Sequence, residues 1–346
     1  MNIGILTGGG DCPGLNAVIR AIVRKSIQFG WECTGIQNGW KGLIEIDTLE
    51  LDMDAVSGIL QKGGTILGTS RTNPYKMKNG EKQVFDNAKK IGMDALVAIG
   101  GEDTLGVAAK LAATGFKVVG VPKTIDNDLS GTDYTFGFDT AVNIAMEAID
   151  RIHTTAESHH RVMIIEVMGR HAGWIAIHSG LAAGADMILI PEKEIHIGEI
   201  IKVINSRMSR GRKFSIIVVA EGAKISDSDR KEGQWVLQDQ KLDAFGHVRL
   251  GGISNVLAEI IEKKTKIESR ATILGHVQRG GSPTAFDRVL GSRFGVYAVE
   301  MIKDEKFGRM AALQGAEIVD IPIIDAVSVT KVVSEKLYKA AEVFFS

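Results

Sequence analysis

The chain has 346 residues, of which 45% are hydrophobic and 24% charged, a composition typical of a soluble globular protein long enough for two domains. Its 41 basic and 42 acidic residues nearly cancel, so bulk charge gives no reason to expect nucleic acid or an anionic membrane as a partner. Cys12 and Cys33 are too few for a disulfide framework and favour a reducing cytoplasm. No apolar run approaches a membrane span, and the glycine-rich first ten residues lack a signal-peptide core.

Short apolar, β-branched runs recur along the chain, and each is followed by a glycine or acidic turn and, in several cases, by a stretch with helical periodicity. The runs comprise residues 2–7, 94–100, 117–121, 161–167 and 215–220. Because they are apolar on both faces and alternate with helices, they predict parallel strands in an α/β protein.

The first predicted helix shows one apolar stripe at the spacing i, i+3, i+4. The residues of the stripe are Leu15, Val18, Ile19, Ile22 and Val23. Asp11 is the expected N-cap, Pro13 suits the first turn, and Gly30 is expected to end the helix.

Residues 224–248 are polar and poorly periodic, which predicts an insertion at the surface. The segment that follows, 253–266, has the pattern of an amphipathic helix.

The first chemically distinctive loop is "TGGGDCPGLN", which places Gly8, Gly9 and Gly10 between a strand and a helix. Exposed backbone N–H groups and the helix dipole make such a turn suitable for an anion. The motif is neither the dinucleotide fingerprint nor the lysine-bearing P-loop. A phosphate site and a tight packing turn are therefore equally good interpretations of this loop alone.

The second loop, "GGEDT", carries Glu102 and Asp103 directly after a strand. Acidic residues suit the first turn of a helix, so either carboxylate could serve only the helix. Alternatively, Glu102 holds Mg²⁺, since magnesium phosphate sites use one or two carboxylates together with phosphate oxygens.

The third loop begins "PKTIDND" and sets Asp126 and Asp128 on either side of Asn127. One carboxylate within reach of a hydroxyl can act as a general base, and a second charge nearby tunes its pKa or positions a metal. The rest of a calcium-loop pattern is absent. A simple Asx turn is the alternative, and the nearby Lys123 makes it the weaker one.

These loops together identify the chain as resembling the phosphofructokinase family over nearly its whole length. The matching segments are, in the family's order, "TGGGDCPGLNA", "GGEDT", "PKTIDND", "HHRVMIIEVMGRHAG", "VAEG" and "SRATILGHVQRGGSP". The resemblance implies Mg²⁺-dependent phosphoryl transfer from ATP or pyrophosphate to the 1-hydroxyl of fructose 6-phosphate. It also implies two domains, each a mostly parallel sheet between helices: 1–137 with about 278–325 for the donor, and 138–277 with about 326–346 for fructose 6-phosphate.

The resemblance further assigns roles residue by residue. Asp126 becomes the general base, and the catalytic set comprises Asp103, Lys123, Thr124, Asp126 and Arg170. The donor site comprises Gly9, Gly10, Arg71, Asp103, Thr104 and Lys123, with Glu102 as the metal ligand. The sugar phosphate site comprises Thr124, Ile125, Asp126, Asp128, Arg161, Met168, Gly169, Arg170, Glu221, Arg270, His276 and Arg279.

Asp103 and Lys123 bear on the choice of donor. ATP-using relatives have glycine at the position of Asp103. The pyrophosphate-using branch has aspartate at this position and lysine at the position of Lys123. A carboxylate at position 103 would occupy the space of an ATP α-phosphate and repel its negative charge. The lysine at position 123 would neutralise the charge of a phosphate that carries no nucleotide. We therefore expect a reversible pyrophosphate-dependent enzyme. The alternatives are an ATP-dependent enzyme and, from another class, a non-catalytic sensor of phosphate metabolites.

Arg161 and Arg270 match positions at which members of the family contribute a residue to the active site of the neighbouring subunit. The resemblance therefore implies a homodimer or homotetramer with shared active sites. His153 and Asp186 depart from the effector site of the allosteric bacterial relatives, although Arg212 and Lys213 keep a basic pair. The resemblance therefore does not predict control by nucleotide or phosphoenolpyruvate.

Overall fold

The computed structural model describes residues 1–226, 234–235, 237–242 and 248–345. Its strands are β1 (Asn2–Thr7), β2 (Glu32–Ile36), β3 (Thr48–Glu50), β4 (Ala95–Gly100), β5 (Val118–Pro122), β6 (Val162–Val167), β7 (Met187–Leu189), β8 (Glu194–His196), β9 (Ser215–Ala220), β10 (Lys224–Ser226), β11 (Gln234–Trp235), β12 (Leu237–Leu242), β13 (Val248–Leu250), β14 (Ser269–Ile273), β15 (Arg309–Gln314) and β16 (Glu317–Pro322). Its helices are α1 (Leu15–Gln28), α2 (Trp40–Glu45), α3 (Gly80–Lys90), α4 (Glu102–Ala113), α5 (Phe138–His159), α6 (Trp174–Ala182), α7 (Ile197–Ser209), α8 (Ile253–Thr265), α9 (Ala285–Lys303), α10 (Ile323–Ser328) and α11 (Glu335–Glu342). Short 3₁₀ turns cover Pro74–Lys76 and Gly275–Arg279.

Internal contacts divide the chain into two units. The described residues of the first unit are Met1–Thr140 and Arg279–Thr330, and those of the second lie within 141–278 and 331–345. Among the described residues no helix combines the length and the apolar character that crossing a membrane requires. Most of the insertion predicted at 224–248 lies outside the residues whose side chains are described.

The first unit is built on a seven-stranded sheet in the order β16-β15-β5-β4-β1-β2-β3. The inner pairs are parallel, and the two edge strands β3 and β16 are antiparallel to their neighbours. Alternate strand residues such as Leu6, Leu96 and Val118 pack with helix residues such as Leu105 and Ile323 in one core. The apolar runs predicted as parallel strands are buried on both faces because helices cover the sheet.

The second unit contains a four-stranded, all-parallel sheet in the order β14-β6-β9-β7. Ile164 and Val219 of this sheet pack with Ile204 of α7 and Leu257 of α8. The predicted amphipathic helix at 253–266 is thus α8. The predicted α/β class is confirmed in both units.

Helix α1 buries the whole predicted apolar stripe, from Leu15 to Val23. Its beginning differs from the prediction, because the N-cap is Gly14 in the left-handed conformation and no side chain caps the helix. Asp11 lies three residues earlier, so its prediction as N-cap was wrong. A left-handed N-cap at φ 107° is a position where glycine avoids the steric cost of a Cβ.

A buried carboxylate ties α9 to the start of α5 within the first unit. Asp287 is completely buried and accepts hydrogen bonds from the backbone N–H of Gly137 (2.9 Å) and of Thr140 (2.8 Å). The hydroxyl of Thr140 donates a third bond to it at 2.5 Å. Because buried N–H groups are costly to leave unpaired, this carboxylate holds the two segments in register.

Burial raises the pKa of Asp287 from 3.8 to about 6, so the folded protein keeps this proton where the unfolded chain has released it. The resulting stability is complete below the unfolded value and is lost as the pH rises through about 6. We expect wild type to lose on the order of 3 kcal/mol of unfolding free energy relative to Asp287→Asn across this window. Urea unfolding at a series of pH values measures the difference. The exposed Asp304→Asn is the control, and a pH-independent difference for Asp287→Asn would contradict the expectation.

Candidate active site

Three loops of the first unit meet at one edge of its sheet, because β5, β4 and β1 are adjacent and parallel. The N–H of Gly8, after β1, donates to the carbonyl of Ile99 in β4 at 3.0 Å. The N–H of Lys123, after β5, donates to the carbonyl of Gly100 at 3.0 Å. Open α/β sheets bind ligands at the carboxyl ends of their strands, and all three sequence-predicted loops lie there.

Residues 8–11, which follow β1 and are here called the glycine corner, carry backbone N–H groups that could bind an anion. The N–H of Gly9 is engaged by the carbonyl of Ser70 at 3.2 Å, and the Gly9 carbonyl accepts from the Thr69 hydroxyl at 2.6 Å. Within the described part of the chain no acceptor pairs with the N–H of Gly10 or Asp11. These two groups are therefore the ones left to bind an anion.

The side chain of Thr104 requires glycine at the two neighbouring positions, Gly8 and Gly100. A Cβ on Gly8 would lie 2.5 Å from the Thr104 hydroxyl oxygen, and one on Gly100 would lie 2.3 Å from its Cβ. Thr104 is 2% exposed, and its hydroxyl has no hydrogen-bond partner among the residues that the structure describes. A nearly buried, unpaired hydroxyl next to the glycine corner is suited to donate to a bound ligand.

Lys123 is the central cation of this edge. Its side chain is 4% exposed, and its ammonium donates to the carbonyl of Gly10 at 2.5 Å. Burial lowers the pKa of Lys123, and the charge of Arg279 lowers it further, whereas the charges of Asp126 and Asp11 raise it. No carboxylate within the described ranges forms an ion pair with it. The buried charge therefore lacks a partner that an anionic ligand would supply.

Glu102 and Asp103 form the first turn of α4, whose N-cap, Gly101, makes no side-chain hydrogen bond. Glu102 is exposed and Asp103 partly exposed. The helix dipole favours both carboxylates here. No group of three or more acidic, histidine or cysteine side chains in the described ranges could enclose a metal. Mg²⁺ can bind through one or two carboxylates together with water and substrate oxygens, so the exposed Glu102 could serve as a ligand.

The third loop is held rigid by residues that the sequence analysis did not single out. Asn127 has φ 51°, and its side-chain oxygen accepts the N–H of Thr135 at 3.1 Å. The hydroxyl of Thr135 donates to the carbonyl of Thr124 at 2.7 Å. The sequence signal for this clamp was the asparagine itself, a residue type that tolerates the left-handed conformation.

Within this clamped loop Ile125 is buried, and Asp126 and Asp128 are partly exposed. The N–H of Asp126 donates to the hydroxyl of Thr124 at 3.1 Å. One carboxylate oxygen of Asp126, Oδ1, is buried and has no hydrogen-bond partner in the described part of the chain. An unpaired carboxylate oxygen held by a rigid loop is poised to accept a proton from a bound hydroxyl.

Arg279 lies beside the glycine corner. Its Nη1 donates to the carbonyl of Asp11 at 3.3 Å, and a Cβ on Gly10 would lie only 2.3 Å from that nitrogen. His276 and Arg71 are both exposed. The guanidinium of Arg279 therefore lies against the loop after β1.

In the second unit, the residues after β6 and β9 are neighbours. The N–H of Gly222 donates to the carbonyl of Gly169 at 3.0 Å, and a Cβ on Gly222 would lie 1.9 Å from the carbonyl of Arg170. The N–H of Met168 donates to the side-chain oxygen of Gln278 at 3.2 Å. The loop that carries Arg170 is therefore packed directly against the one that carries Glu221, and Gln278 is a support that the sequence analysis missed.

Arg161 and Arg270 lie at the opposite, amino-terminal edge of the same sheet. Arg161 precedes β6, and Arg270 is the second residue of β14. Both bind Glu268, Arg161 at 2.8 Å and Arg270 by a shorter contact. Since β6 has six residues, Arg161 and Arg170 stand about 20 Å apart along the strand. A single copy of this unit therefore cannot bring Arg161 and Arg170 to one phosphate.

The two positions that depart from the effector pattern both have hydrogen-bond partners within the chain. Asp186 pairs with Arg207 at 2.6 Å and accepts the N–H of Ile216 at 2.8 Å. A ring nitrogen of His153 lies 2.8 Å from the carbonyl of Ala183. Burial raises the pKa of Asp186, and Arg207 opposes this shift. Since these groups are paired within the chain, they contribute to the packing of β7 and β9.

Comparison with known proteins shows the family of this chain. The family model described as Phosphofructokinase matches residues 2–302. The chain is 58% identical over 347 residues to the pyrophosphate--fructose 6-phosphate 1-phosphotransferase of Streptomyces coelicolor, covering 100% of both chains. It is 51% identical to the ATP-dependent 6-phosphofructokinase 3 of the same organism, covering 99% of both.

A solved structure shows the same fold at lower identity. The pyrophosphate-dependent phosphofructokinase of Marinobacter aquaeolei superposes with a TM-score of 0.81 at 20% identity, covering 100% of this chain and 91% of that one. The family match over most of the chain and the two full-length relatives carry the assignment that the three loops suggested. The chain belongs to the phosphofructokinase family.

Proposed function

We propose that this protein transfers a phosphoryl group from pyrophosphate to the 1-hydroxyl of fructose 6-phosphate, giving fructose 1,6-bisphosphate and phosphate, and that it also runs in reverse. The observation that carries the proposal is the buried Lys123 ammonium, held on the Gly10 carbonyl without an ion-pair partner among the described residues. Pyrophosphate and phosphate are compact anions of the kind that this cation needs. The relative at 58% identity is named for this reaction.

The donor end of the reaction falls to the first unit. Gly9 shapes the corner, and the N–H groups of Gly10 and Asp11, the Thr104 hydroxyl and the Lys123 ammonium supply donors for phosphate oxygens. Arg71 is the further donor-site residue that the resemblance assigns. Glu102 would hold Mg²⁺ together with phosphate oxygens, and the ion would neutralise charge on the transferred group.

Asp126 is the proposed general base. Its unpaired Oδ1 accepts the proton of the sugar 1-hydroxyl while the hydroxyl oxygen of the sugar attacks phosphorus. The positive charge of Lys123 balances the negative charge on the phosphoryl oxygens. Thr124 fixes the loop by accepting the Asp126 N–H, and Asp128 borders the reacting oxygens. The reaction then relies on positioning and charge neutralisation, with no covalent intermediate on the enzyme.

The sugar phosphate end falls to the loops of the second unit, with Met168, Gly169 and Arg170 on one and Glu221 on the other. We assign Arg170 to charge on the reacting groups and Glu221 to sugar hydroxyls. Ile125 contributes a buried wall, and His276 is the exposed partner for the 6-phosphate. Arginine suits phosphate because its planar fork makes paired hydrogen bonds.

We further propose a homodimer or homotetramer in which Arg161 and Arg270 complete the site of a neighbouring copy. Their position at the amino-terminal edge of the sheet, away from Arg170, supports this arrangement. We place the enzyme in the cytoplasm, where both of its buried cysteines stay reduced.

An ATP-dependent enzyme is the second candidate, because a relative at 51% identity bears that name. Asp103 is the residue that argues against it. A carboxylate about 4 Å from a phosphate charge costs on the order of 4 kcal/mol at an effective dielectric constant near 20, or roughly three powers of ten in affinity.

The donor is tested by assaying fructose 6-phosphate phosphorylation with Mg²⁺ and either pyrophosphate or ATP. We expect wild type to use pyrophosphate well and ATP poorly, and Asp103→Gly to raise ATP use relative to pyrophosphate. The isosteric Asp103→Asn removes the charge but keeps the volume, so it separates repulsion from crowding. A wild-type preference for ATP at saturating Mg²⁺ would overturn the proposed donor and leave the family assignment intact.

Lys123→Met should separate stability from catalysis. Burial lowers the pKa of Lys123, so its charge costs stability at neutral pH, and this cost fades as the pH rises towards the unfolded value of 10.5. Methionine fills similar space without a charge, so we expect a melting temperature at or above that of wild type at pH 7 and a much lower pyrophosphate turnover. Thermal unfolding at several pH values and the donor assay measure both effects. A variant with a lower melting temperature and normal pyrophosphate turnover would contradict the proposed role of Lys123.

For Asp126→Asn we expect turnover to fall roughly 10²–10⁴-fold, the range that a general base contributes, while fructose 6-phosphate still binds. Steady-state kinetics and a direct binding titration measure the two quantities. Asp304→Asn, which removes an exposed carboxylate at the end of α9, is the control and should keep the turnover of wild type. Near-normal turnover of Asp126→Asn would remove this residue from the proton transfer.

The shared site is tested by mixing two inactive variants, Arg161→Ala and Asp126→Asn, under conditions in which subunits exchange. Hybrid oligomers would contain some sites with an intact Asp126 and an intact Arg161, so we expect partial activity to return. Native mass spectrometry confirms the exchange. If hybrids form and activity stays absent, each copy uses its own arginine.

A further inference from the structure

We propose that Asn16 is a positioning residue of the donor site. From its place in α1, its side chain holds the segment 62–71, which bonds to the glycine corner and ends at Arg71. The inference rests on the proposed function, because it concerns how the donor site of that reaction keeps its shape.

The segment 62–71, here called the strap, contains neither a helix nor a strand, so its backbone depends on other groups for hydrogen bonds. Near its carboxyl end the strap meets the glycine corner. There the carbonyl of Ser70 accepts the N–H of Gly9 at 3.2 Å, and the hydroxyl of Thr69 donates to the Gly9 carbonyl at 2.6 Å. Arg71, the donor-site residue that the resemblance assigns, comes next in the chain. The path of the strap therefore determines where the backbone of Arg71 lies relative to the corner.

Asn16, the second residue of α1, holds the other end of the strap with both polar atoms of its side chain. The amide nitrogen donates to the carbonyls of Lys62 at 3.1 Å and Gly63 at 3.3 Å. The side-chain oxygen accepts the N–H of Ile66 at 2.9 Å. Asn16 is 1% exposed, so any of these groups left unpaired would be costly. The three bonds therefore fix the beginning of the strap on α1.

A second buried side chain holds the middle of the strap. Thr7, the last residue of β1, is completely buried, and its hydroxyl donates to the carbonyl of Gly68 at 2.7 Å. The same hydroxyl lies 3.0 Å from the hydroxyl of Thr65. The strap is thus attached to the residue before the glycine corner, to Gly9 within it and to Asn16 after it. Because Asn16 is buried, it can act on a bound donor only through the strap.

The test compares two asparagines that make the same kind of contact. Asn87 of α3 donates to the carbonyls of Leu43 at 3.0 Å and Ile44 at 2.7 Å, elsewhere in the first unit. Asn16→Ala and Asn87→Ala each remove an amide that donates to two successive carbonyls, so both should lower the melting temperature.

Only Asn16→Ala should also weaken the binding of Mg²⁺-pyrophosphate, measured by calorimetric titration of the full-length protein without sugar phosphate. We expect a loss of roughly tenfold, the lower end of what misplaced supporting groups cost a site. Hydrogen exchange of the strap amides, including that of Ile66, should be faster in Asn16→Ala and unchanged in Asn87→Ala. Wild-type pyrophosphate affinity in Asn16→Ala, or an equal loss in Asn87→Ala, would overturn the proposal.

Thr7→Val loosens the same strap without any change in α1, so it tests the inference even if Asn16→Ala does not fold. Valine keeps the shape of threonine and removes the hydroxyl that bonds to Gly68. Pyrophosphate affinity should fall in this variant too. If Thr7→Val speeds exchange of the strap amides and still binds pyrophosphate as wild type does, the position of the strap does not govern donor binding and the proposal is wrong.

The wild-type titration separates this inference from the proposed function. A wild-type protein that binds Mg²⁺-ATP and not pyrophosphate would refute the proposed donor. The same variants titrated with ATP would then decide the role of Asn16. A loss of ATP affinity confined to Asn16→Ala and Thr7→Val would support that role, and unchanged affinity in both would overturn it.

Discussion

The hydrogen bond from the buried Lys123 ammonium to the Gly10 carbonyl is the interaction on which the candidate site depends. It joins the loop after β5 to the loop after β1, across the intervening β4. A carbonyl can accept from an ammonium but cannot neutralise it, so the contact positions a positive charge without cancelling it. Under the proposed function, the phosphate groups of the donor would supply the missing counter-charge.

That demand requires close approach, and the glycines provide it. The Thr104 side chain occupies the space beside Gly8 and Gly100, and the Arg279 guanidinium occupies the space beside Gly10. Any larger residue at these three positions would push a functional group away from the corner. Glycine at these three positions therefore lets polar side chains pack against the backbone at a sheet edge, where parallel strands bring three loops together.

The second unit uses its sheet differently. Arg170 and Glu221 follow the carboxyl ends of β6 and β9, whereas Arg161 and Arg270 stand near the amino ends of β6 and β14, held by Glu268. Groups at opposite edges of one parallel sheet cannot act on one small ligand. The separation supports the proposed oligomer, in which a neighbouring copy would present its amino-terminal edge to the site at the carboxyl edge of the first copy.

The sequence alone determined the α/β class, the parallel strands, the three loops after β1, β4 and β5, and the family, because apolar periodicity and loop composition are local properties. It misassigned the α1 N-cap to Asp11, since a left-handed Gly14 serves without a side chain. Only the tertiary structure decided that Asn127 and Thr135 clamp the Asp126 loop, that Arg279 rests on Gly10, and that Arg161 stands away from Arg170. These facts depend on the path of individual loops and on the order of the strands, and no local sequence pattern specifies either.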